Sequence, residues 1–378
     1  MAKILTVESD HRLQRTIGRA LLMQGHEVHQ VGHGSAALRI AAERRFDVAV
    51  VSDELGGHNV LQQMRALQPA CMRILISAPP SMLPAMDAVN RGEISGVVPR
   101  PFSVMTMLEA IEGSLETRRR MLEVARVQQA AARIEETAML EECFTNDHIQ
   151  VALQPVLSSG SRQLVGFEAL LRSDHTVLSG PLAILRAAEQ HDRINAVADI
   201  VFRRVQQWLT VLPESVSLFI NLHPDELSEP ARLADRLAPF ADQASRVVLE
   251  ITERSRLQSI YGWEESLQRA TDMGFSIAVD DLGSGYSSLS VLADLQPKYI
   301  KMDMSIVRGV NASSRKRRMV NMLCRFAEAT GSKLIAEGVE TPEEAKALTE
   351  AGTHLMQGYL FGRPSQNIME IQRHISAG

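Results

Sequence analysis

The sequence predicts an α/β chain in two parts: a small doubly wound parallel sheet, a long helix, and then a (β/α)8 barrel. Three observations predict this. Residues 1–117 alternate short apolar runs with amphipathic stretches. Residues 118–143 lose that alternation and contain neither Pro nor Gly. Residues 144–378 hold seven apolar runs, each ending in a carboxylate, an amide or an amine.

In the first part, Lys3–Val7, His26–Val31, Asp47–Val51, Arg73–Ser77 and Gly96–Val98 read as strands. Between them Leu13–Met23, Ala36–Ala42, Val60–Leu67 and Leu83–Asn90 space their apolar residues as helices do, and Val104–Leu115 follows in the same way. Such alternation with short links implies a parallel sheet covered on both faces. From Glu112 to Phe144 one long helix leaves this domain, opening with Arg118, Arg119 and Arg120. Leu115, Leu122, Val124, Val127, Ile134 and Leu140 form a stripe near helical spacing, short of a clean heptad. The expectation is that this stripe packs on a neighbour, including the same helix of a second subunit.

In the last part, Leu164–Phe167 meets Glu168, Val216–Ile220 meets Asn221, and Arg246–Leu249 meets Glu250. Phe275–Val279 meets Asp280 and Asp281, and Tyr299–Ile300 meets Lys301. Lys333–Ala336 meets Glu337, and His354–Met356 meets Gln357. Barrel active sites form at the C-terminal ends of the strands, so seven such endings in succession outline one mouth.

Composition narrows the function classes. With 45% hydrophobic and 22% charged residues, the chain is neither a disordered tail nor a disulfide scaffold. Its net charge of −5 gives no general attraction to nucleic acid or anionic lipid. The basic run Arg315–Arg318 lacks aromatic interleaving and reads as a solvated face. No nucleic-acid or membrane partner is expected. Three cysteines without a CxxC pair, and no signal-like N-terminus, lead to the expectation of a cytoplasmic protein.

Glu168, Glu250, Asp280, Asp281 and Glu337, with Asn221, put five carboxylates and an amide around one mouth. Close like charges repel and divalent cations relieve them; all-oxygen ligation favours Mg²⁺ or Mn²⁺ over Zn²⁺. Adjacent Asp280 and Asp281 suit a pair of ions, a common device for in-line attack on phosphate esters. Lys301 can orient or help deprotonate the attacking water or stabilise phosphoryl charge, and Arg172 is a fork for a substrate phosphate. The residues alone give a metal-dependent phosphoesterase of unnamed substrate.

The same residues resemble a known family. Glu168-Ala169-Leu170 followed by Leu171-Arg172 is similar to the signature of EAL domains, the cyclic di-GMP phosphodiesterases. The resemblance runs on through Asn221-Leu222, Glu250-Ile251-Thr252-Glu253, Asp280 to Leu289, Ile300-Lys301-Met302-Asp303, Ala336 to Thr341 and Gln357 to Phe361. It implies a TIM-type barrel over 144–378 that linearises cyclic di-GMP to 5′-pGpG with two Mg²⁺ or Mn²⁺ ions. Glu168, Asn221, Glu250 and Asp280 would ligate the first, and Asp281 the second, shared with Asp280. Lys301, Glu337 and Gln357 would contact the attacking water or a metal. Gln154, Leu171 and Arg172 would meet the substrate, and Glu253 would pair with the loop Asp281–Leu289. The chain departs from the family at Ser173, His175 and Thr176, on the rim that grips the nucleotide.

Residues 1–117 resemble a flavodoxin-like response-regulator receiver. Glu8-Ser9 stands in the place of its acidic pair, Ser77 at the hydroxyl position, and Arg100-Pro101-Phe102 where Lys-Pro-Phe is usual. Ser52 falls at the phosphoacceptor position with Asp53 one place later, which implies a degenerate receiver. The resemblance implies a homodimer or higher homo-oligomer and a signalling partner at the receiver face. A catalytically silent cyclic di-GMP receptor or interaction module is the alternative reading of the whole.

Overall fold

The computed structural model describes residues 1–78, 81–252, 257–283 and 295–367. The chain divides into two compact units, Met1–Arg133 and Ile134–Gly378.

In the first unit, β1 (Lys3–Val7), β2 (Glu27–Val31), β3 (Val48–Ser52), β4 (Met72–Ser77) and β5 (Gly96–Pro99) form one parallel sheet. Its order, β2-β1-β3-β4-β5, is that of a flavodoxin-like doubly wound domain. Successive strand residues serve opposite faces. Leu5, Val7, Ala49, Val51 and Leu75 enter one core, while Ile4, Val48, Val50, Ile74 and Ile76 enter the other. The continuous apolar runs of β3 and β4 are what a sheet buried on both sides requires. Helix Val104–Thr145 is unbroken for 42 residues and crosses the division between the units.

The second unit is a closed barrel of eight strands: β6 (Ile149–Ser158), β7 (Leu164–Ser173), β8 (Ser217–Leu222), β9 (Val247–Thr252), β10 (Ser276–Leu282), β11 (Tyr299–Met302), β12 (Lys333–Ala336) and β13 (Leu355–Gln357). Seven are the runs expected from the sequence. The eighth, β6, runs antiparallel to both neighbours, β13 and β7.

The barrel interior is layered by the two-residue period of the strands. Val156, Phe219, Val248, Ala278, Tyr299, Ile335 and Leu355 form an apolar plug, with the Phe219 and Tyr299 rings edge to face at 5.1 Å. Two residues further along six of these strands stand Asn221, Glu250, Asp280, Lys301, Glu337 and Gln357. On β6, which runs the other way, Gln154 stands two residues before Val156. The same alternation places Gly166 two residues before Glu168 on β7. A Cβ at Gly166 would come within 2.8 Å of the Phe219 ring and 2.7 Å of the Ser217 carbonyl, so glycine leaves room for the plug.

Candidate active site

Lys301 is the centre of the polar layer and is 1% exposed. Its Nζ lies 2.7 Å from Glu337 Oε1, 2.9 Å from Glu250 Oε1, 3.3 Å from Glu168 Oε2 and 3.6 Å from Asp280 Oδ1. Register explains the convergence: Glu250 pairs with Asn221 on one side and Ala278 on the other, which brings the ends of β8, β9 and β10 level. Glu168 is further held by Asn221 Nδ2, which donates at 2.9 Å, and Gln357 Nε2, which donates at 2.6 Å. Gln357 also donates to Gln154 Oε1 at 3.1 Å, and Gln154 donates to the Gly362 carbonyl at 3.2 Å.

The electrostatics are those of a buried, over-acidic cup. Burial pushes Glu250 well above the usual carboxylate range; Lys301 opposes this and the neighbouring carboxylates add to it. Asp280 is raised for the same first reason. Glu337 is pushed up to about 8 by burial, against the pull of Lys301 and reinforced by Asp280 and Glu168. At Glu168 burial is outweighed by Lys301 and by the hydrogen bonds from Gln357 and Asn221, leaving it lowered. Lys301 itself is held well above its ordinary value, because four carboxylates overcome the cost of burying its charge. Four carboxylates around one ammonium favour its charged form, which suits Lys301 to orientation and charge stabilisation.

The residues fit divalent cations. Asp280, Asp281 and Glu337 offer oxygens that all lie within 4.8 Å of one another. Gln357 Oε1 is buried without a hydrogen-bond partner among the described residues. The donors are oxygens throughout, as hard cations prefer. Asp281 has φ +62°, and its N–H is capped by Asp280 Oδ1 at 2.8 Å. The register of β10 against β11 shifts between Val279 and Leu282, and this irregularity presents both aspartates at the mouth.

Leu171 and Arg172 are half-buried near the end of β7, with Arg172 donating to the Leu171 carbonyl at 2.8 Å. They line a cavity of about 270 Å³ together with Asn221, His223, Pro224 and Thr252. Glu253 and positions 284–289 of the loop lie outside the described residues.

One pair escaped the sequence reading. Glu226, 4% exposed, receives a hydrogen bond from Arg236 at 2.6 Å and closes a capping box on His223. The signal was present: an N-cap followed by Pro and then by Glu at the third helical position.

In the first unit, Arg100 donates to Glu8 and, at 3.0 Å, to Ser52 Oγ. Glu8 is 1% exposed and also accepts the Asp10 N–H at 3.0 Å. Ser52 is buried, whereas Ser9 is exposed. Asp53, half-buried at the start of a short 3₁₀ turn, accepts from Ser77 Oγ at 3.3 Å. Of the expected pocket residues, Glu8, Ser52, Asp53, Ser77 and Arg100 therefore gather at the ends of β1, β3, β4 and β5, with the guanidinium joining the acid to the hydroxyl.

Known proteins resemble this chain over its second unit. The EAL domain model matches residues 137–364. The cyclic di-GMP phosphodiesterase NbdA of Pseudomonas aeruginosa is 32% identical over 235 residues, 60% of this chain and 30% of that protein. The probable cyclic di-GMP phosphodiesterase PdeN of Escherichia coli is 31% identical over 232 residues, 58% of this chain and 44% of its own length. The chain thus spans less than half the length of these two relatives. A structure of the PaMucR phosphodiesterase in complex with cyclic di-GMP superposes with a TM-score of 0.55 at 25% identity, covering 61% of this chain and 97% of that one. The matched span is more than half of the sequence and takes in the whole mouth, and the chain belongs to the EAL-domain family.

Proposed function

We propose that this chain hydrolyses cyclic di-GMP to 5′-pGpG, adding one water across one phosphodiester. The observation that carries the proposal is the buried Lys301 ammonium ringed by Glu168, Glu250, Asp280 and Glu337. Such a cup binds hard cations and tolerates the negative charge of a phosphodiester only with their help. Glu168, Asn221, Glu250 and Asp280 would hold one Mg²⁺ or Mn²⁺ ion, and Asp280 with Asp281 a second. These cations, when bound, activate water and stabilise charge on the phosphoryl oxygens.

The remaining work belongs to side chains. Lys301 fixes the carboxylates in place and keeps a positive charge beside the reacting phosphate. Glu337, pushed up to about 8, is suited to accept the proton that the attacking water gives up. Gln357 holds Glu168 and turns an unpaired carbonyl oxygen into the site. Arg172, with its planar fork, engages a substrate phosphate beside Leu171, and Gln154 supports that wall. Glu253 would tie the loop Asp281–Leu289 to the site. The first unit is proposed to act as a receiver-like regulatory domain that takes no phosphate, because Ser52 cannot form an acyl phosphate and Arg100 already occupies Glu8.

The test is turnover of cyclic di-GMP by the purified full-length protein with Mg²⁺ or Mn²⁺, with product separated by chromatography. Glu168→Ala and replacement of the ion by Ca²⁺ serve as controls. Appearance of pGpG that vanishes in Glu168→Ala establishes the activity. Metal-dependent binding without product would make the protein a receptor instead. Neither product nor binding would leave the barrel as a protein-interaction module.

A further inference from the structure

The turn between β7 and the helix Pro181–Gln190 is built around a side chain that the proposed mechanism leaves unused. Residues 174–180 have no regular secondary structure, and within them His175 and Leu178 alone are buried. His175, 6% exposed, accepts the Leu178 N–H at 2.9 Å and the Val177 N–H at 3.3 Å, both at Nδ1. With Nδ1 an acceptor, the ring proton sits on Nε2, which faces Glu142 Oε2 at 3.7 Å. The ring packs edge to face on His148, whose own Nδ1 meets Asp174 Oδ1 at 2.7 Å. Two further bonds close the turn: Ser173 Oγ accepts the His175 N–H, and the Ser173 carbonyl accepts the Gly180 N–H, each at 3.3 Å. Leu178, held by its N–H, enters the apolar core that contains Ile149 and Ile184 and against which Leu171 packs.

We propose that His175 is a positioning residue for the substrate: its Nδ1 fixes this turn, and the turn sets the spacing of two walls of the cavity beside Arg172. The inference rests on the reading of this chain as a cyclic di-GMP phosphodiesterase. One wall is the end of β7, with Leu171 and Arg172; the other is the start of the next helix, with Pro181 and Leu185. Residues 174–180 are the covalent link between the two. A link without ladder or helix bonds samples many shapes unless some group accepts from its N–H donors. Nδ1 accepts from two of them at once, and one of the two, the Leu178 N–H, is buried. A residue that acts in this way touches neither the metal ligands nor the reacting phosphate. It supports the grip on substrate equally in the ground and transition states, so its loss falls on KM and spares kcat. A ring that merely filled space could be replaced by Phe, whereas an acceptor could be replaced by Asn, whose Oδ1 reaches N–H groups two and three residues on.

The test compares His175→Asn, which keeps the acceptor and loses the ring, with His175→Phe, which keeps a ring and loses the acceptor. Both are made in the full-length protein and assayed for turnover of cyclic di-GMP with Mg²⁺. His175→Asn is expected to hold KM within about twofold of the parent. His175→Phe is expected to raise KM about tenfold while kcat stays within about twofold. A parental KM in His175→Phe would overturn the proposal, as would an equal rise in both variants or a loss confined to kcat. A second measurement needs no turnover. Hydrogen exchange at the Leu178 amide is expected to be slow in the parent and in His175→Asn, and fast in His175→Phe. A fast Leu178 amide in the parent would overturn the proposal even where a variant fails to fold. A parent that neither binds nor hydrolyses cyclic di-GMP would overturn the functional reading and this proposal with it, a result distinct from an active parent with indifferent variants.

Discussion

Arg236 donates to one oxygen of Glu226 at 2.6 Å, and the other oxygen of Glu226 accepts the His223 N–H at 2.8 Å, two residues beyond Asn221. A buried ion pair therefore clamps the turn that follows β8. Arg236 is fully engaged, since it also donates to Asp199 at 2.7 Å and to Asn195 Oδ1 at 2.9 Å. Removing one partner strands a buried charge. Arg236→Met is expected to cost about 3–5 kcal/mol in urea unfolding. Glu226→Gln keeps an acceptor for the His223 N–H and is expected to cost less, about 1–3 kcal/mol. Equal losses for the two variants would contradict the clamp.

The plug beneath the polar layer predicts a different kind of loss. Phe219 is 0% exposed and stacks edge to face on Tyr299. Phe219→Ala leaves a cavity in a closed barrel that has little freedom to collapse. The expected destabilisation is about 3–5 kcal/mol, read as a lower urea midpoint at unchanged slope. A loss below about 1 kcal/mol would mean that the barrel interior is not packed as described.

Gly358 tests the coupling of backbone to site. A Cβ there would fall 2.1 Å from the Val339 carbonyl oxygen and 2.3 Å from the Val339 nitrogen. The preceding residue, Gln357, holds Glu168, and its carbonyl accepts the Val339 N–H at 3.0 Å. Gly358→Ala must push β13 away and drag Gln357 with it. Hydrolysis is expected to fall at least tenfold, together with thermal stability. Gly160→Ala, where nothing lies within 4 Å of the added carbon, is the matched control and should behave as the parent.

The cysteines predict chemical silence. Burial pushes Cys71 up to about 12 and Cys143 up to about 11, and raises Cys324 as well. Each is at most 2% exposed. A raised thiol pKa keeps the thiolate scarce below that pKa, so reactivity near pH 8 is suppressed by ionisation and by access together. Titration with a disulfide reagent should find almost no reactive thiol in the native protein and three after denaturation. A rapidly reacting thiol in the native state would refute the burial.

The Arg100 bridge makes a prediction for the first unit. Acetyl phosphate with Mg²⁺ should leave the intact mass of the protein unchanged, because Ser52 Oγ is held by Arg100 and Asp53 is engaged by Ser77. A mass gain of one phosphoryl group that disappears in Asp53→Ala would show that the later aspartate serves after all.

Much of this architecture was legible because strands have a period of two and parallel barrel strands all end at one face. Asn221, Glu250, Asp280, Lys301, Glu337 and Gln357 were found as strand endings for that reason alone. Strand β6 was not among the expected runs, because it approaches the mouth from the opposite direction. The polar residue it brings to the site, Gln154, sits in mid-strand rather than at an end. The role of Gly166 was equally hidden, since it depends on Phe219 and Ser217 in the adjoining strand. Nor does local pattern pair Glu226 with Arg236, which meet only when the next helix folds back.

The reversal of β6 decides where the chain enters the barrel. Ile149, its first residue, pairs with Ser173, the last residue of β7, so the chain enters the barrel at the rim of the mouth rather than at the base. Helix Val104–Thr145 ends just before that point. Further along β6, Gln154 stands opposite Glu168, so a single strand runs from the rim beside Arg172 down to the polar layer.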